Sequence, residues 1–176
     1  MRIAWLAPLV LALAACGPVA ASSSPPVTFE EFATHACDAF EAMFRAVGNP
    51  DAGTPSELSA ALDDAIERGD PAGANRAANA ILDELEQGRQ AAAVAAAWEP
   101  GAAAMIELND VLTAYAAYVR AKQELSAGSS ADPQAAFEAA GGADSWTAML
   151  GAARTAATAR PATAPPHECD GIPMSW

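Results

Sequence analysis

The sequence predicts an all-α protein, an antiparallel bundle of about four main helices plus one or two short ones, finished by an extended C-terminal tail. Three observations carry that prediction. Apolar residues recur at helical spacing from Phe29 to Ala153. Helix-start signals repeat along the chain at Thr28, Thr54-Pro55, Asp70-Pro71 and Asp132-Pro133. No stretch shows sustained alternation of β-branched residues, so no strand is expected.

The first helix opens at Thr28, whose partner three residues on, Glu31, completes a capping box. Phe29, Phe32, Ala33, Ala36, Phe40, Met43, Phe44 and Val47 then form one stripe, the most aromatic of the chain. Gly48-Asn49-Pro50 ends it. The next helix is expected to take Thr54 as cap, Pro55 at its first position and Glu57 as capping-box partner, with Leu58, Ala61, Leu62, Ala65 and Ile66 inward. Asp70-Pro71 opens a long third helix that turns Ala74, Ala78, Ile81, Leu82, Leu85, Ala92 and Ala96 to the core. Gly88 should weaken its middle by about 1 kcal/mol relative to alanine. Pro100-Gly101 breaks or kinks the chain after Trp98. The fourth helix places Met105, Leu108, Leu112, Tyr115 and Val119 inward and fades at Ser126-Ala127-Gly128. A short helix from Asp132-Pro133 carries Phe137 and stops at Gly141-Gly142. Asp144 is the expected cap of a last helix bearing Trp146, Met149, Leu150 and Ala153. With alanine at so many inward positions, the helices should approach toward the ~8 Å end of the normal range. The accompanying cost is a core thin in long apolar side chains.

Ahead of the bundle, Met1-Arg2 precedes an apolar run from Ile3 to Ala15, too short for the ~20 residues of a membrane-spanning helix. It ends Leu13-Ala14-Ala15-Cys16-Gly17, which resembles the lipobox of bacterial lipoprotein precursors. The resemblance covers about a tenth of the chain. It implies a signal peptide over 1–15, diacylglyceryl attachment to the Cys16 thiol, and cleavage that leaves Cys16 first. More than one acyl chain suffices for stable anchoring. Gly17 rather than aspartate after the cysteine implies delivery to the outer membrane where the cell has one. Residues 16–27, rich in serine and proline, read as a tether reaching up to roughly 35 Å, which leaves 28–176 as one helical domain.

Cleavage removes Arg2 and no acid, so a formal charge of −13 becomes −14. A surface that acidic argues against nucleic acid and anionic lipid headgroups as partners. Export also changes the meaning of the remaining cysteines. Two histidines and two cysteines occur in matched segments, His35-Ala36-Cys37-Asp38 and His167-Glu168-Cys169-Asp170. The preferred reading is a Cys37–Cys169 disulfide that staples the tail to the first helix and lets Ile172, Met174 and Trp176 cover apolar surface. The alternative is a zinc or copper site built from His35, Cys37, His167 and Cys169. Helix geometry opposes a full four-ligand set, because residues two apart point about 200° away from each other. A smaller set of Cys37, His167 and Cys169, or two histidines beside an intact disulfide, stays open. A di-iron centre of the ferritin-like kind needs Glu-x-x-His, which the chain lacks, and Glu31 is already occupied as a cap.

Asp63-Asp64 and Glu84-Glu86 read as solvated helix faces rather than acid–base pairs. No nucleophile elbow or phosphate-cradling glycine loop is present in the sequence. Trp98, Tyr115 and Tyr118 are the candidate lining of a ligand groove between helices, although aromatic residues at such spacing more often serve the core. The expectation is therefore a lipid-anchored, extracytoplasmic, non-enzymatic binding or interaction module without a cofactor. Its partner would be an envelope protein or a small ligand.

Overall fold

The computed structural model describes residues 27–49, 52–169 and 176. The signal segment 1–15, Cys16, the tether as far as residue 26, Pro50, Asp170, Ile172 and Met174 lie outside the described residues. Among the described residues six helices follow in order: α1 (Phe29–Val47), α2 (Glu57–Glu67), α3 (Pro71–Ala95), α4 (Glu99–Ser126), α5 (Pro133–Ala139) and α6 (Gly142–Thr158). The architecture is an all-α bundle in which α1, α3, α4 and α6 are the long members and α2 and α5 the short ones.

The capping box at the head of α1 is formed in both directions. The Glu31 N–H donates to Thr28 Oγ1 at 3.2 Å, and the Thr28 N–H donates to Glu31 Oε2 at 2.9 Å. That second bond, made to the ionised carboxylate, holds Glu31 below its ordinary pKa. Behind the cap, Phe29, Phe32, Ala33, Ala36, Phe40, Met43 and Ala46 are buried on the expected stripe, joined by Cys37, Ala39 and Ala42. Phe44 and Val47 sit at its edge, half-buried.

Two expectations about the next segment need correction. Thr54 and Pro55 do not start α2; they pair antiparallel with β1 (Gly48–Asn49) as the two-residue strand β2 (Thr54–Pro55), in the register Gly48 to Pro55. A short strand pair therefore exists where none was expected. The cap of α2 is Ser56, and its hydroxyl explains the shift. Ser56 Oγ accepts from the Ser59 N–H at 3.0 Å and donates to the Ala46 carbonyl at 2.8 Å. One side chain thus caps the start of α2 and satisfies an otherwise orphan carbonyl at the end of α1. The close return requires glycine at 48: its φ is +94°, and a Cβ there would overlap the backbone of Thr54 to Ser56.

Principal contacts run α1 on α3, α3 on α4 and α4 on α6, with α2 laid on α3 and α5 on α4. Asp70 caps α3 by accepting from the Gly73 N–H at 2.9 Å, with Pro71 in the first turn as expected. The expected inward residues Ala74, Ala78, Ile81, Leu85 and Ala92 are buried, while Leu82 and Ala96 are only half-buried. Gly88, expected to be a weak point, is a contact point. A Cβ on it would lie 3.2 Å from the Ala39 carbonyl and 3.3 Å from both Ala42 Cβ and Leu112 Cδ1. Three helices meet there because nothing protrudes. In α4, Met105, Leu108, Leu112 and Val119 are buried, and Tyr115 is half-buried. The cap of α6 is Gly141 at φ +78°, not Asp144. A left-handed glycine lets the helix begin three residues early, and Asp144 falls in the first turn, where its charge favours the helix dipole.

After α6 the chain returns to α1. Cys37 and Cys169 are disulfide-bonded, with Cα atoms 5.1 Å apart and a sequence separation of 132. Beside the bridge, His167 and Trp176 exchange backbone hydrogen bonds of 3.1 and 2.9 Å. That reciprocal pair delivers the Trp176 ring to α1, 5.1 Å from the Phe32 ring edge-on and 6.1 Å from Phe40. Trp176 is 2% exposed. Trp176 thus covers the aromatic face of the first helix beside the Cys169 bridge.

Two outcomes follow from this packing. Cys37→Ser and Cys169→Ser should lower the melting temperature equally, and the double variant should match either single one. A loop of 132 residues is worth at most about 5 kcal/mol in the chain-entropy model. Additive losses on thermal unfolding would show that the two sulfurs do not act as one bridge. Gly88→Leu should destabilise by about 1–3 kcal/mol, since the Ala39 backbone cannot yield as a flexible side chain would. A stabilised Gly88→Leu variant in urea unfolding would refute the three-helix contact.

Candidate functional site

Between α2, α4 and α5 lies a half-open groove of about 250 Å³. Its floor is apolar: Leu62 from α2, Ile81 from α3 and Val119 from α4, with Val47 at the end of α1. Aromatic rings make the walls. Tyr115 and Tyr118 come from α4, and Phe137 from α5 leans on Tyr115 with ring centroids 4.9 Å apart and planes tilted 47°. Ser59 on α2 and Gln134 on α5 supply hydroxyl and amide groups.

The helices position these groups for simple reasons. Tyr115, Tyr118, Val119 and Lys122 recur at spacings of three and four along α4, so they form one face. Ser59 and Leu62 share a face of α2 in the same way. Asp132 caps α5 by accepting from the Ala135 N–H at 3.1 Å, which starts that helix where Gln134 and Phe137 come round toward α4.

Beside Tyr118, α4 and α2 are tied by charge. The Lys122 ammonium hydrogen-bonds the Asp63 carboxylate and stands 4.9 Å from the centroid of the Tyr118 ring. Burial acts to lower the Lys122 pKa, but its hydrogen bonds to Asp63 and Tyr118 outweigh that effect and raise it above the ordinary 10.5. Asp63 was expected to lie on a solvated face; it is half-exposed, yet it serves as the partner of a largely buried lysine.

Of the three aromatic residues expected in a ligand groove, Tyr115 and Tyr118 are there and Trp98 is not. Trp98 packs 4.5 Å from Phe32 and 5.5 Å from Phe29, in the aromatic layer over which Trp176 closes. It precedes α4 as the N-cap residue, so its ring falls toward the head of α1 rather than toward α5. Phe137, Ser59 and Gln134 were not anticipated in the groove. Phe137 had a readable signal, as the single large apolar residue of a seven-residue helix, where it must pack outward onto a neighbour.

The other candidate set sits at α1 and the tail. The sulfurs of Cys37 and Cys169 are bonded to each other. His35 Nδ1 lies 3.6 Å from Asp38 Oδ2 on the solvent side of α1, and both side chains are more than a third exposed. Among the described residues, no three His, Cys, Asp or Glu side chains converge as a group able to hold a metal ion. Nor is any described helix long and apolar enough to cross a membrane.

The Lys122–Asp63 tie has a measurable signature. A raised lysine pKa contributes stability that is complete below the unfolded-state value and is lost as pH climbs through the folded value. Lys122→Met should therefore cost up to about 1 kcal/mol in urea unfolding at pH 7, the upper range for a pair with one half-exposed partner. The gap to wild type should narrow once pH passes 10.5. A gap that stays constant through that range would mean the lysine acts through packing alone. No family model, curated protein or solved structure matches this chain.

Proposed function

We propose that this chain is a lipid-anchored binding module of the cell envelope, held outside the cytoplasm through Cys16 and taking a small ligand in the groove between α2, α4 and α5. The observation that carries the ligand site is the groove itself: about 250 Å³, walled by Tyr115, Tyr118 and Phe137 over an apolar floor. Apolar concave sites with a few placed polar groups are the usual form of small-molecule sites. Ser59 and Gln134 are such groups here. The lining offers contacts that hold and orient a molecule, and on that basis the role is binding rather than catalysis.

The anchor rests on Leu13-Ala14-Ala15-Cys16-Gly17 and its likeness to the lipobox. The tether that follows would let the acidic bundle stand clear of the bilayer. Gly17 favours the outer membrane in a cell with two membranes.

Both halves can be tested separately. Wild-type protein should fractionate with membranes and Cys16→Ala should be released; membrane association that survives the substitution would defeat the anchor. An organic extract of the producing cells should raise the melting temperature of the wild-type protein, because a ligand at a hundred times its Kd adds about 2.7 kcal/mol. Ser59→Trp fills the groove and should abolish that shift. Equal shifts in both proteins, or none in either, would overturn the ligand site.

A further inference from the structure

We infer that the groove selects a small uncharged amphiphile, a molecule of substituted-phenol size with one apolar ring and one hydrogen-bonding group. The inference deepens the ligand-site reading above and rests on it. Three features of the groove point to this class.

Size comes first. An apolar cavity of roughly 150 Å³ accommodates benzene. The groove offers about 250 Å³, enough to seat a ring with a substituent, and a polycyclic or long-chain molecule would extend out of it.

Charge excludes more. The chain carries 9 basic and 22 acidic residues, yet not one of those lining the groove is charged. An anion would enter against a net charge of −13 and would have to compete with Asp63 for Lys122. A cation would look for the face of Tyr118, where the Lys122 ammonium already stands 4.9 Å from the ring centroid. Asp63 and Lys122 are paired with each other, so a charged ligand of either sign must compete with that pair. An uncharged ligand alone enters without leaving a desolvated charge unpaired.

The third feature is the wall supplied by α5. None of its residues is buried, and it packs chiefly on α4. Phe137 rests between Tyr115 and the backbone of Gly142, where a Cβ would overlap the phenyl ring. An element with so little buried surface yields at lower free energy than the long helices. It can fit itself to a ring placed beside Tyr115, while Ser59 and Gln134 meet the polar end.

Three probes sharing one ring separate the possibilities: p-cresol, benzoate and benzyltrimethylammonium. Each is titrated into the full chain carrying Cys16→Ala, in detergent-free buffer, and followed by amide chemical shifts. p-Cresol should give saturable shifts at Ser59, Tyr115, Tyr118 and Phe137, with a Kd at least about tenfold below that of either charged probe, a gap of ~1.4 kcal/mol. Phe137→Ala should weaken p-cresol severalfold, and an unchanged amide spectrum away from α5 would verify that this variant folds. A charged probe that binds as tightly as p-cresol overturns the inferred class and leaves the ligand site standing. No saturable shift with any probe, alongside extract-induced stabilisation that Ser59→Trp abolishes, overturns the class and size together. If the extract effect is absent as well, the ligand-site reading falls with them.

Discussion

The structure depends on covering one face of α1. Half of that helix is buried, and its Phe29, Phe32 and Phe40 are the buried phenylalanines of a core rich in alanine, with Met43 beside them. Alanine lets the helices close up, as at Gly88, where α1, α3 and α4 meet. It also contributes little buried area per residue, so the stripe on α1 must be sealed from every side. α3 seals one side, and Trp98 ahead of α4 seals the head. The chain beyond α6 seals the rest, with Trp176 against Phe32 and Phe40. A chain terminus of this kind would fray without the Cys37–Cys169 bond. The indole N–H of Trp176 has no hydrogen-bond partner among the described residues, a cost of about 1–3 kcal/mol. The cross-link, at up to about 5 kcal/mol, is large enough to hold that burial in place.

The groove arises from the same construction at the opposite side of the bundle's logic. Short α5 covers only part of α4, and the Tyr115–Tyr118 face opens between it and α2, which packs on α3. The Lys122–Asp63 pair joins α2 to α4 beside this opening. A well-sealed α1 and a partly covered α4 thus stand in one bundle. The first gives stability, and the second gives a place for a ligand.

Most of this fold was legible in the sequence because helix periodicity and caps are local signals. Thr28 with Glu31, Asp70 with Pro71, and Asp132 with Pro133 each mark a start that the structure keeps. The failures have non-local causes. Thr54-Pro55 carries every local sign of a helix start, but Ser56 makes a hydrogen bond to Ala46 ten residues back and moves the cap. Gly88 reads as a weakness until the neighbours that need its empty side are known. Trp98 was grouped with Tyr115 and Tyr118 by residue type, whereas its place at the head of α4 turns it toward α1. Two of the three aromatic residues that line the groove, Tyr115 and Tyr118, were accessible from spacing on α4. Phe137 and Ser59 arrive from other helices, and no single helix's periodicity can report that meeting.

The claim that α1 is sealed by a covalently tied tail is tested most directly by intact mass and thiol counting on protein recovered from an oxidising compartment, under native and denaturing conditions. The account predicts a mass about two daltons below the fully reduced value, with Cys37 and Cys169 unreactive to thiol reagents before reduction. Two reactive thiols in the folded protein, with or without a bound metal ion that acid removes, would contradict it and would turn attention to His35, Cys37, His167 and Cys169 as ligands.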